Sequence, residues 1–452
     1  AFLAELLGTR SLVAFYGFEN EDLIFPHITN KVKFGLLTIA GREVNVEQPW
    51  FTAHIRQPSE ISNPEKRYAL TVDEIRAINP NTLNLPAFRW ARDAAVTAAI
   101  HNAAPILIEK QDSTILRNDW NVRFRRLFDM ANDSGHFIDH EDIAPLIKER
   151  LGALAILQDG RRVYPLYEGK MFWHFDHRYG TYEDQTEQQS NKGVLPRVSV
   201  AQHSDPNYQI QPQYWVEESL TEQALSEESS HKWFFTWRDL GPSERSLVGT
   251  IIPRTAAGHK APLMICDLAA ADRVVLAAIL SSLVADYGVR QKTNAMTFFV
   301  IEQAAVLDRA ALNNRIDWLG ENASDWLLTR AFELFYTNVE LYALGEDLER
   351  NHPPFVWNVG RRYLIQAEID AAMLHLYGLT RVQADWILDS FAVLRKYEER
   401  DHGEFRTKRL VLAAYDAMAT AKSVGTAYQT PLSPPPADPS LCHPAPEPEV
   451  AR

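Results

Sequence analysis

Residues 165–182 read Pro165-Leu-Tyr-Glu-Gly-Lys-Met-Phe-Trp-His-Phe-Asp-His-Arg-Tyr-Gly-Thr-Tyr182 and concentrate the groups of this chain that could do chemistry. Two histidines, a lysine, an arginine, a glutamate and an aspartate lie among six aromatic rings. Cationic donors hold phosphates and ring faces stack on bases, so the mixture points to nucleic acid. Lys170, His174, His177 and Arg178 are the candidate DNA contacts within it. A metal site is the competing reading for His174 and His177 with Asp176, because imidazole and carboxylate are ligands of zinc and iron. On a strand, positions three apart face opposite sides, which ranks the metal below DNA-proximal or structural polar packing. Asp159, Glu168 and Lys170 also fit the loose Asp…Glu-x-Lys pattern of Mg²⁺-dependent nucleases, with two carboxylates for the metal and a lysine near the attacking water. That pattern is short and recurs by chance, and Lys170 reads better as a phosphate contact or half of a salt bridge.

Outside this segment, residues 117–126 carry four arginines, of which Arg123, Arg125 and Arg126 are candidates for backbone phosphates, against the alternative of a solvated charged face. Arg290 and Lys292 sit between a helical stretch and a Thr/Phe-rich stretch read as a strand, and are further DNA candidates. Trp233, Phe234 and Trp237 read as core rather than as stacking platforms. No residue is assigned a catalytic, cofactor-binding or metal-binding role.

These side chains need elements to position them. Residues 11–18 and 32–39 are short apolar runs rich in aromatic and β-branched residues, bounded by Asn, Asp and Pro, and read as two buried strands. Thr71-Val-Asp-Glu74 is a capping box that opens a helix stopping before Asn79-Pro80. A helix over 93–102 and strands over 105–108, 208–215, 232–238 and 247–253 complete an α+β region. Residues 216–230 hold five glutamates and no basic residue, and read as a solvated insertion. From Asp272 the pattern turns helical: Leu364, Ala367, Ala371 and Leu374 share a face, and Gly378 caps that helix. Thr380-Arg-Val-Gln383 opens another helix to about 399, Gly403 breaks it, and a last helix covers 409–421. The tail from 426 to 452, with eight prolines after position 430, reads as disordered.

The bulk numbers bound the function. A chain of 452 residues with 46% apolar residues supports two or three domains with a sizeable core. Two cysteines, Cys266 and Cys442, exclude a disulfide framework and fit a cytoplasmic protein. No stretch has the roughly 18 apolar residues of a bilayer span. A net charge of -13 excludes a simple DNA-coating protein, though a basic cleft fits within an acidic average.

The segment at 165–182 resembles the "P-L-Y-E-(A/G)-K-M…H-F-D-H-R…T-Y" signature of bacterial N6-adenine DNA methyltransferases of the large restriction–modification type, including the fused type IIG enzymes. The likeness continues along the chain in that family's order. Ser11-Leu-Val-Ala-Phe-Tyr-Gly-Phe-Glu-Asn20 and Lys33-Phe-Gly-Leu-Leu-Thr38 resemble its late catalytic-domain strands. Asn79-Pro-Asn-Thr82, Phe88-Arg-Trp-Ala-Arg-Asp93, Trp120-Asn-Val-Arg-Phe124, Thr297-Phe-Phe-Val-Ile301 and Gly403-Glu-Phe-Arg-Thr-Lys-Arg409 follow. The family's adenine-binding Asn/Asp-Pro-Pro-Tyr/Phe loop and its Gly-rich cradle for S-adenosylmethionine do not occur; Asn351-His-Pro-Pro-Phe355 is a look-alike with His352 inserted. The resemblance implies an α/β plus α+β chain that begins mid-domain. Residues 1–41 would be the terminal strands of a Rossmann-like methyltransferase sheet, 42–270 the α+β target-recognition region, 271–425 a helical C-terminal region and 426–452 the tail. It implies double-stranded DNA as partner, S-adenosylmethionine as a cofactor held outside this chain, a missing N-terminal catalytic domain, and a restriction or phage-defence subunit as a further associate. A Mg²⁺-dependent nuclease and a free-standing specificity subunit are the alternatives.

Overall fold

A computed structural model describes residues 2–41, 43–111, 114–226, 230–293 and 295–445. The protein is mixed α/β, with several sheets followed by a helical C-terminal region. The first sheet runs Lys33–Ile39, Leu12–Glu19, Trp50–Ile55, Tyr68–Ala69. Leu12–Glu19 pairs antiparallel with Lys33–Ile39 and parallel with Trp50–Ile55, so this sheet is mixed. Its inner face packs Leu12, Phe51 and Tyr68 against Val72, Ile75 and Phe88. The capping box forms as its spacing predicts: Glu74 N donates to Thr71 Oγ1 at 3.1 Å and Thr71 N donates to Glu74 Oε2 at 2.7 Å, opening Val72–Ile78.

Two further sheets follow, the first of which carries the start of the signature on Arg162–Tyr167. In one, Ile138–Asp139, Tyr214–Glu217, Arg162–Tyr167, Leu154–Leu157 and Ile147–Leu151 lie side by side, with Ala256–Ala257 parallel to Arg162–Tyr167. The other runs Gly249–Pro253, Trp233–Trp237, Leu263–Cys266, Val122–Arg125, all antiparallel. All five residues of Trp233–Trp237 are buried, which places Trp233, Phe234 and Trp237 in the core as expected. Trp233 and Trp237 share one apolar cluster with Val274–Leu280 of the helix Ala270–Leu280 and with Ile365, Ala367 and Leu374 of Val359–Leu376.

Two expected strands differ in part: Lys33–Ile39 forms but is exposed, not buried, because it lies at the sheet edge, and the strand expected over 208–215 begins only at Tyr214. Five further expectations are corrected. Residues 105–108 form no strand; Ile106 makes an isolated bridge to Ala305, and Leu107 N donates to the Ala304 carbonyl at 2.8 Å. The Thr/Phe stretch is a short helix, Phe298–Glu302, because Val300 and Ile301 bury on one side while the Phe298 ring packs on Phe124 and Trp237. The acidic stretch is not a solvated insertion. It forms the strand Tyr214–Glu217 and helix Glu218–Ser226, buries Val216 and Leu225, and places Glu222 in a bidentate pair with Arg254; residues 227–229 lie outside the described residues. The single helix from 380 to 399 is two, Arg381–Asp389 and Ala392–His402, because Phe391 leaves helical geometry to bury its ring beneath Arg290. Gly403, at φ 74°, then closes the second, a left-handed position that glycine takes at least cost.

The fifth correction concerns the tail. Residues 426–445 lie along the helical body; 446–452 are outside the described residues. Tyr428 and Thr430 donate hydroxyls to Glu368 at 2.9 and 2.5 Å, Arg361 donates to the Pro434 carbonyl at 2.8 Å, and Ala437 N donates to Glu333 at 2.8 Å. Buried carboxylates and an arginine thus supply the anchoring that the tail's few apolar residues do not. Among the described residues, no helix is long and apolar enough to cross a membrane.

Candidate nucleic-acid interface

The signature leaves the strand Arg162–Tyr167 and becomes a succession of tight turns over 168–182. Tyr179 N and Gly180 N both donate to the Met171 carbonyl, at 3.0 and 2.9 Å. Gly180 is required there: a Cβ would meet the Lys170 carbonyl oxygen at 2.6 Å. Phe175 sits at φ 57°, where a non-glycine residue costs about 1–2 kcal/mol. Its ring against Phe335 and its carbonyl, which accepts from Arg362 at 2.8 Å, hold it in place.

The loop turns most of its charged groups inward. Arg178 is 0% exposed. Its Nη1 donates to the carbonyls of Asp205 and Tyr208 at 3.0 and 3.1 Å, and its Nη2 to those of His203 and Thr337 at 3.1 Å each. A guanidinium engaged by four carbonyls cannot also reach a phosphate, so Arg178 is corrected from a DNA contact to a clamp. His177 is equally enclosed, with Nε2 3.8 Å from Glu340 Oε2. Burial pushes His177 down to about 3 and Glu340 up to about 7, so the pair is neutral over an acidic window. Asp176 accepts from His203 Nε2 at 3.0 Å. Burial raises its pKa, but the His203 hydrogen bond, with His203, Arg362 and a backbone N–H, holds it down at about 2. His174 is buried, far below the usual imidazole range because of that burial. His177 is therefore also corrected to structural packing, and His174 lies off the outer surface, against a cavity beside the loop.

Lys170 remains accessible. Its Nζ stands over the Tyr182 ring at 4.8 Å and 3.5 Å from Glu168, whose other oxygen accepts from Tyr182 at 2.5 Å. Asp159 is in a separate exposed turn, paired with Arg161 at 2.8 Å. The nuclease triplet is thus two local salt bridges. Among the described residues, no group of three or more His, Cys, Asp or Glu is arranged to hold a metal ion.

The remaining candidates divide by burial. Arg123 and Arg125 are exposed on Val122–Arg125, the edge strand of its sheet, with Arg123 ion-paired to Asp267. Arg290 lies over the Phe391 ring at 3.8 Å and donates to Ser390. Lys292 donates to the carbonyls of Ile78 and Gln303 at 2.7 and 3.1 Å, and burial lowers its pKa to about 7. Both tie the helical region to its neighbours and are corrected from DNA contacts to interior links.

Sequence reasoning missed the partners of the loop: His203, Glu340, Trp357 and Arg362. Trp357 is sandwiched between the His203 ring at 3.9 Å and Arg362 at 3.7 Å. These residues lie up to 187 positions from the loop and carry no local pattern. The look-alike Asn351-His-Pro-Pro-Phe355 does not fit an adenine-binding loop, since the Phe355 ring is buried edge-on to Phe332. Among the described residues no Gly-rich strand-to-helix turn offers a cofactor cradle either, so no step through S-adenosylmethionine is derived from this chain. No protein-family model matches the chain, and no curated protein matches it as a relative.

Proposed function

We propose that this chain is the DNA-reading part of a site-specific N6-adenine DNA methyltransferase of a restriction–modification or phage-defence system. In this reading residues 1–41 are terminal strands of the catalytic sheet, and the pockets for S-adenosylmethionine and adenine belong to the rest of that domain. The observation that carries the reading is the colinear run of family-like segments from Ser11 to Arg409. The geometry of the first sheet supports it. Lys33–Ile39 is an edge strand whose Leu36, Leu37 and Ile39 are exposed, with Phe25, Ile28 and Val32 exposed beside it. Natural edges are normally short, charged or covered, and an apolar patch of this kind marks a surface that another part of the protein or another chain covers. Completion by further strands of a catalytic domain fits that edge. In this reading, phosphate contacts from the accessible cations set the register and other side chains read bases.

Fluorescence anisotropy with labelled duplex DNA at several salt concentrations tests it. Binding should weaken with salt, and Arg123→Ala, Arg125→Ala and Lys170→Ala should each lower the salt slope by about 1. Lys292→Met and Arg290→Met should leave the slope unchanged. Absence of salt-dependent duplex binding by the chain together with its catalytic domain would overturn the reading. Mg²⁺-dependent cleavage abolished by Lys170→Ala would favour the nuclease instead.

A further inference from the structure

The signature loop and the C-terminal helices enclose a cavity of about 680 Å³ between Trp173, Arg197, Tyr363 and Tyr397. That is within the roughly 300–1,000 Å³ of small-molecule sites. Its walls and floor differ in chemistry. The Tyr363 ring is backed by Arg406 at 3.5 Å, and Trp173 stacks on Tyr179 at 5.0 Å, so the aromatic walls are held rigidly. At the floor, His174 is 6% exposed and its Nδ1 has no hydrogen-bond partner. A buried polar atom left unmet is costly, and a ligand group at hydrogen-bond distance removes that cost. Gln366, half-buried beside it, makes no side-chain hydrogen bond among the described residues.

The charge open to a ligand sits at the mouth. Arg245 and Arg362 also line the cavity, but Arg245 is committed to Asp286 at 3.0 Å and Arg362 to two carbonyls at 2.8 Å. Arg197 and Arg400 are exposed; Arg400 is held by Asp401 through two hydrogen bonds of 2.6 and 2.8 Å, whereas Arg197 lies over the Tyr179 ring at 5.3 Å and forms no ion pair among the described residues. Asp401 and Glu244 flank this mouth, which disfavours a ligand of high negative charge.

We propose that this cavity takes a single nucleotide. The base lies among the aromatic walls with its polar edge on Gln366 and His174, and one phosphate sits at Arg197. Flat rings with polar edges deep inside and an arginine at the entrance are how proteins hold a base removed from its stack. An extrahelical nucleotide of bound DNA is the source that the DNA-reading role supplies, and to that extent the inference rests on that role. A free mononucleotide offers the same chemistry.

Three ligands distinguish the sources with the full chain: a fully paired duplex, the same duplex with one bulged 2-aminopurine nucleotide, and AMP, with ATP as the high-charge control. The bulged duplex should bind about tenfold more tightly than the paired one, and its 2-aminopurine fluorescence should change on binding. Arg197→Ala and Gln366→Leu, both outside the packed core, should abolish that preference and leave paired-duplex affinity unchanged. AMP should bind more tightly than ATP and lose affinity in both variants. If AMP binds in this way and no duplex does, the cavity assignment stands with a free nucleotide and the DNA-reading role falls. If paired duplex binds while AMP fails to bind and the bulge gives no preference, or if neither variant alters them, the cavity assignment is overturned and the DNA-reading role is untouched.

Discussion

Arg178→Met should lower the stability of the fold by about 3–5 kcal/mol, the scale of breaking a buried charged interaction by removing one partner. Two effects oppose each other. Methionine removes the cost of burying a guanidinium, which burial already holds below its ordinary pKa. It also strands the carbonyls of His203 and Thr337, each worth about 1–3 kcal/mol when left unmet in the interior. Those of Asp205 and Tyr208 lose one donor each and keep Tyr208 N at 3.3 Å and Asn338 Nδ2 at 2.9 Å. Together these losses outweigh one desolvated charge. Arg178→Lys should recover only part of the loss, because one ammonium cannot span four carbonyls from two separate segments. Urea denaturation checks this: both midpoints fall, methionine's further. A variant with wild-type stability and weakened DNA binding would instead return Arg178 to the surface role that its sequence context suggests.

That contrast explains how much the residues alone disclose. Periodic elements were legible: the capping boxes at Thr71 and Thr380, the buried strand Trp233–Trp237, and the glycine at 403 each follow from local spacing. The signature at 165–182 was legible as special but not in its direction. Lys170 and Arg178 are eight positions apart in one loop, and nothing local says that one side chain stays at the surface while the other turns inward. That is decided by Thr337 and Glu340, about 160 positions further on, and by the segment 203–208. The tail misled for a related reason. Its composition cannot bury much apolar area, yet Glu368, Arg361 and Glu333 on distant helices satisfy its polar groups. The cavity was invisible because Trp173, Arg197, Gln366 and Tyr397 meet only through tertiary packing.

The same junction sets the second large effect, a pH dependence that Glu340→Gln should remove. Glu340 is enclosed, its Oε2 without a hydrogen-bond partner, and burial raises its pKa to about 7 although Arg178 and Arg150 pull it down. Unfolded, it ionises near the ordinary carboxylate value of 4.5. As pH rises from 4.5 to about 7, the unfolded chain gives up this proton before the folded one does, so stability falls across that window and levels off above it. The loss is about 3 kcal/mol for a shift of this size. His177 acts in the opposite direction. Its pKa falls from 6.5 to about 3 by burial, so its contribution is complete above 6.5 and is lost as pH drops towards 3. Together they hold the junction's contribution level between 4.5 and 6.5, the two unfolded values, with losses on either side. Glutamine keeps the shape and cannot ionise, so the variant should match the wild type near pH 4.5, exceed it by about 3 kcal/mol at pH 8, and shift the stability maximum upward. Urea midpoints for both proteins between pH 4 and 9 measure the difference. Parallel curves would mean that Glu340 ionises in the folded protein as freely as in the unfolded chain, and that the junction between the signature loop and the helices is open to water.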